Sequence, residues 1–208
     1  MITALVQGGA DINCSDSGRA TPLHRLCMEE GSLDAIRTLL SLSADPNIPD
    51  AGFRTPLFVA ISPRYIEALL AAGADVNAIG LLSTGLEGTA LHIQVAKEPF
   101  RLDCIAALLD AGANVNATTF TPLHLVFPSE LSEEVGKVAS LLLASGAHTR
   151  DLFELKTPYE EFLNNFPPDP DRSHAVAGLR MLSLFSAYGD TRSHCTTMPR
   201  NHIALEHF

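Results

Sequence analysis

The sequence contains no run of basic residues, no paired cysteines and no apolar stretch long enough to cross a membrane. Each absence closes a class of function. The net charge is −10, with 13 acidic and 7 basic side chains in residues 1–117 and 11 and 7 in residues 118–208. Acidity is therefore spread evenly, and no segment is built to displace counterions from a phosphate backbone, which argues against nucleic acid as a partner. Cys14, Cys27, Cys104 and Cys195 lie far apart without a Cys-x-x-Cys pair, a usage that fits reduced thiols rather than a disulfide framework. A basic leader is missing from the first residues, and the longest apolar stretches fall far short of a membrane span. No nucleophile elbow, phosphate-binding loop, dinucleotide fingerprint or His-Glu-x-x-His is present. The expectation is a chain that works without a cofactor or a metal and is not an enzyme, in the cytoplasm or nucleus.

What is present is repetition. Thr21-Pro22-Leu23-His24 returns as Thr55-Pro56-Leu57-Phe58, Thr89-Ala90-Leu91-His92 and Thr121-Pro122-Leu123-His124, then faintly as Thr157-Pro158-Tyr159. The start-to-start spacings are 34, 34, 32 and 36 residues. A second phrase keeps step with it: Leu39-Leu40-Ser41-Leu42-Ser43-Ala44-Asp45-Pro46-Asn47, then Leu69 to Asn77, then Leu108 to Asn116. Self-similarity at this period marks stacked supersecondary units, each too small to bury its own apolar face.

Together the two phrases resemble the ankyrin repeat. The resemblance implies an all-α solenoid of helix-turn-helix units joined by β-hairpin-like loops, over residues 1–190. It divides the chain into a half repeat at 1–13 and repeats at about 14–47, 48–77, 78–116 and 117–150. A capping repeat at 151–190 and a tail at 191–208 follow. The half repeat is expected either as a natural cap or as the start of a fragment.

Within this frame, Thr caps each inner helix and Pro22 supplies its first turn. Gly18 is expected to take positive φ in the first hairpin. Repeat two is compressed, with 19 residues from Thr55 to Ala74 against 23 from Thr21 to Ala44. Its inner helix should shrink to about 56–61. The hairpin before Thr89 is longer by four residues and carries three leucines, so it either folds back or forms contact surface. Pro99 is expected to open the outer helix of repeat three.

Eight histidines invite a metal reading. His24, His92 and His124, however, occupy one motif position, which in the resembled family knits neighbouring repeats. His194, Cys195, His202 and His207 have no recognised zinc spacing. Glu29-Glu30, Glu133-Glu134 and Glu160-Glu161 are sequence neighbours, and i, i+1 pairs on a helix do not face each other, so they make no acid–base pair. Asn13, Asn47, Asn77 and Asn116 are expected to bond hairpin backbone.

By resemblance, a protein partner would meet the hairpin tips and the inner-helix surface of the concave face. The tips include Arg19, Phe53, Arg54, Glu87 and Phe120, and the inner-helix positions include Met28 and Lys97. Arg and aromatic side chains dominate interface energetics, so the expected partner-binding set is Arg19, Met28, Phe53, Arg54, Lys97 and Phe120. The leading expectation is a protein-interaction scaffold or adaptor. The alternative is a small-ligand-binding protein or noncanonical enzyme, its pocket walled by repeat two and the loops at 80–88 and 166–171.

Overall fold

The computed structural model describes residues 2–29, 32–118, 120–126, 132–148 and residue 183. The segments expected as a capping repeat and tail fall outside these residues, Ser183 apart. The chain divides into two compact units, Met1–Thr118 and Thr119–Phe208.

The first unit is built from helix pairs. Inner helices α2 (Pro22–Met28), α4 (Pro56–Val59) and α6 (Ala90–Ala96) pack in series. Outer helices α1 (Ile2–Gln7), α3 (Leu33–Ser41), α5 (Pro63–Ala71) and α7 (Leu102–Asp110) form a second series against them. Heptad-like spacing explains the seam: Leu23 and Cys27 on α2, Ile36 on α3, Ile66 and Leu69 on α5, and Ile105 and Leu108 on α7 are buried. The second unit pairs a 3-10 turn, Pro122–Val126, with α8 (Glu133–Ala144). Ser132 caps α8 by accepting the Val135 N–H at 3.2 Å, and Val135, Val138 and Leu142 face its core.

The motif threonines and histidines behave as frame. His24 Nδ1 accepts the Thr21 backbone N–H at 3.1 Å, so its proton sits on Nε2, which donates to the Arg54 carbonyl at 2.8 Å. One imidazole thereby closes its own helix and holds the next hairpin. His92 and His124 repeat the first half of this arrangement, with Nδ1 accepting from Thr89 N–H at 3.0 Å and Thr121 N–H at 3.2 Å. Phe58 stands at the same place in α4 and is only 2% exposed, so packing replaces the hydrogen bond there.

The asparagines hold the stack elsewhere than expected. Asn13, Asn47 and Asn77 accept the backbone N–H of Asp45, Asp75 and Asn114 at 3.0, 2.8 and 2.7 Å. Asn47 also donates to the Gly73 carbonyl at 3.0 Å. They bond the closing turn of the following repeat and not a hairpin, because each sits at the same depth as its successor in the stack.

Three further expectations are corrected. The left-handed residue of the first hairpin is Arg19 (φ 60°), not Gly18. Pro99 lies outside α7, which starts at Leu102 after Arg101, and the Glu98–Pro99 peptide is cis. The inner helix of repeat two ends at Val59, earlier than expected.

Candidate functional site

The hairpins of the first unit are built on one template. Asp16 Oδ1 accepts the N–H groups of Gly18 (2.8 Å) and Ala20 (3.0 Å), and Asp50 Oδ1 accepts those of Gly52 (2.8 Å) and Arg54 (3.0 Å). Such carboxylate-supported turns fix the backbone locally. The turn then needs a left-handed residue, which is Arg19 in the first hairpin and Phe53 (φ 59°) in the second. The third hairpin, β1 (Gly80–Leu81) against β2 (Glu87–Gly88), places Gly85 (φ 81°) at the same point of its turn. Glycine takes this conformation without a Cβ penalty, whereas a bulky side chain there is a genuine outlier.

Asp50 does a second job. Its Oδ2 receives Arg54 Nε at 2.9 Å and Nη2 at 2.7 Å. Burial alone would raise the Asp50 carboxyl, but the Arg54 guanidinium and two backbone N–H groups outweigh it and hold it below the ordinary carboxylate value. Arg54 is thus tied to its own hairpin, with its carbonyl taken by His24, and presents only the outer part of its guanidinium. Asp16 pairs with Arg25 in the same way, and that guanidinium is the main reason its carboxyl is also lowered.

The expected contact residues take different positions. Phe53 is 61% exposed and Met28 45%. Arg19 and Lys97 are exposed. Partial desolvation, then the nearby Arg101 charge, pushes the Lys97 ammonium below its ordinary value. Phe120 belongs to the second unit, where its ring stacks on His124 with centroids 5.3 Å apart. Arg19 and Phe53 are brought to neighbouring hairpins, joined where the Ala51 N–H donates to the Gly18 carbonyl at 2.9 Å.

The long hairpin resolves in two directions. Leu82 folds in, lying so close over Gly88 that a Cβ there would meet its methyl carbons at 3.0 Å or less. Leu81 and Leu86 stay at the surface together with Ile79. The sequence offered no signal for Ile79, since nothing local shows which way a residue just ahead of a two-residue strand faces.

A cleft of about 680 Å³ opens between the α4–α5 and α6–α7 connections, lined by Ile61, Ser62, Tyr65, Phe100, Arg101 and Cys104, among others. It is not walled by the hairpin at 80–88, and residues 166–171 fall outside the described structure. Cys104 and Cys27 are held neutral by burial, the Cys27 thiol being pushed up to about 12, which makes them poor nucleophiles. Among the described residues no cluster of three His, Cys, Asp or Glu side chains is arranged to hold a metal, and no helix is long and apolar enough to cross a membrane.

The architecture has known counterparts. A family model for ankyrin repeats in three copies matches residues 1–80, and a single ankyrin repeat model matches residues 88–120, together more than half of the chain. The chain belongs to the ankyrin repeat family. Ankyrin repeat and SOCS box protein 6 of Mus musculus is 31% identical over 121 residues, which is 56% of this chain. The aligned part spans 28% of that protein's length. The ankyrin repeat domain of human ASB11 superposes with a TM-score of 0.65 at 22% identity, covering 90% of this chain and 77% of that one. An ankyrin repeat domain from Acinetobacter baumannii AYE gives 0.67 at 19% identity, covering 88% and 90%. The fold is the all-α ankyrin solenoid with a small antiparallel hairpin. Ankyrin repeats are protein-interaction modules, which bind protein partners.

Proposed function

We propose that this ankyrin chain is a scaffold or adaptor of the cytoplasm or nucleus that captures a protein partner through its hairpin tips and inner-helix surface. Arg19, Phe53 and the outer edge of Arg54 are the contact residues on the hairpins, with Met28 and Lys97 on the inner-helix side. Phe120 is the corresponding contact of the second unit. One observation supports this reading above the others. Phe53 keeps a bulky ring in left-handed backbone and in solvent, where Gly85 shows that the same turn closes without cost. Strain of this kind, on the order of 1–3 kcal/mol, persists where it serves a function.

The test is proximity labelling from the native cell with the wild-type chain and a Phe53→Ala, Arg54→Ala variant. Proteins labelled by the first and lost with the second support the reading, provided the variant keeps its circular dichroism spectrum. Identical labelling by both sinks these tips as the contact surface.

A further inference from the structure

The three hairpins of the first unit are joined backbone to backbone. The Ala51 N–H donates to the Gly18 carbonyl and the Leu81 N–H to the Gly52 carbonyl, both at 2.9 Å. Leu81 in turn pairs with Glu87 across the β1–β2 ladder. Crossing these bonds in order, one meets Arg19, Phe53, Leu81 and Glu87. Adjacent strands lie about 4.8 Å apart, so the three strand-to-strand steps span roughly 14 Å, the length of about four extended residues.

The row has charged ends of opposite sign and an apolar middle. Phe53 and Leu81 are exposed, and Ile79, at 52% exposure, stands two residues before Leu81, just ahead of β1. The neighbouring arginines have carboxylates of their own, Arg25 of α2 with Asp16 and Arg54 of the second hairpin with Asp50. Arg19 has no ion-pair partner among the described residues, and neither has Glu87. A single exposed aromatic ring on a soluble protein is ordinary. A cation, a ring, an aliphatic side chain and a carboxylate in sequence across three bonded hairpins, two of them held in left-handed backbone, form a pattern.

We propose that this row is a docking strip for an extended peptide segment with one acidic and one basic end. Its acidic residue meets Arg19, its central apolar side chains cover Phe53 and Leu81, and its basic residue meets Glu87. The proposal rests on the hairpin-tip reading above and adds the chemistry of the partner. Exposed ion pairs contribute little affinity by themselves, but like charges placed together reject the wrong segment. The apolar centre supplies binding and the ends supply choice.

The experiment uses three fluorescein-labelled heptapeptides with the same Phe and Leu in the centre. One has Glu near one end and Lys near the other, one has Glu at both, and one has Lys at both. Anisotropy titrations against the full chain should show the mixed-charge peptide binding roughly tenfold tighter than either like-charged one. Arg19→Glu should transfer the preference to the Lys-ended peptide, and Glu87→Arg to the Glu-ended peptide, with unchanged circular dichroism melts. Three equal affinities, a preference that ignores these substitutions, or no binding by any peptide overturns the proposal. If all three bind alike and Phe53→Ala weakens all of them, the charge pattern is lost while docking on the hairpin tips stands. If Phe53→Ala also changes nothing, both readings fall.

Discussion

In the first helix pair His24 bonds from α2 to the Arg54 carbonyl of the next hairpin, whereas in the second pair the same place holds Phe58, buried and without a polar ring atom. The helices differ to match. α2 runs for 7 residues and α4 for only 4, ending at Val59 with Ala60 in extended backbone after it. A helix cut this short leaves carbonyls without intrahelical partners. Gln94 of α6, itself 2% exposed, donates to the Ala60 carbonyl at 2.9 Å. Two departures from the repeat, an early helix end and a buried glutamine, are therefore one arrangement spread over neighbouring repeats. The comparison teaches that a stacked fold tolerates loss of a local hydrogen bond when the adjacent unit supplies another.

The sharpest way to break the comparison is Phe58→Ala. Emptying this buried aromatic position should cost about 3–5 kcal/mol in urea unfolding. His24→Phe copies the second solution into the first pair and should cost about 2–3 kcal/mol, because the buried Thr21 N–H loses its partner and the Arg54 carbonyl is left with the Asp50 N–H alone. A loss as small as that of a surface change would show that the ring is held by packing alone. Gln94→Leu keeps much of the volume but orphans the Ala60 carbonyl, with an expected loss of about 1–2 kcal/mol.

Two smaller effects concern the hairpins. Since the folded Asp50 carboxyl is held below its ordinary value, its contribution is complete above about pH 4 and disappears as pH falls through the depressed value. Urea midpoints at pH 5 and pH 3 should therefore diverge for the wild type, and Asp50→Asn should narrow the gap. Phe53→Gly should stabilise the chain by about 1 kcal/mol, since glycine accepts the left-handed backbone freely. A melt that falls instead would mean that the ring packs usefully in the free protein.

Much of this was readable beforehand. Thr-Pro-Leu-His at a spacing near 34 located every inner helix of the first unit, because a Thr cap, a first-turn Pro and an inward Leu are local instructions. The structural role of His24, His92 and His124 was legible from the resemblance to the ankyrin repeat. The direction of the asparagine bonds was not, since Asn13 and Asp45 meet only when repeats stack. Nor was the change from Gly18 to Arg19 as the left-handed residue. It depends on where the Asp16 carboxylate gathers N–H groups, and propensity alone favours glycine. Among the expected contacts, the ion pair that ties Arg54 down needed the closed hairpin to be seen.

The amino-acid sequence by itself determined the repeat, its helix pairs and the ankyrin family, whose general role is protein binding. These follow from short-range caps and from apolar spacing, which act within a few residues. Tertiary structure alone decided what lies side by side: Gln94 under Ala60, Asn47 against Asp75, and Arg19, Phe53, Leu81 and Glu87 across three hairpins. Those neighbours are set by the register of one repeat on the next, and register exists only once the layers have closed over a shared core.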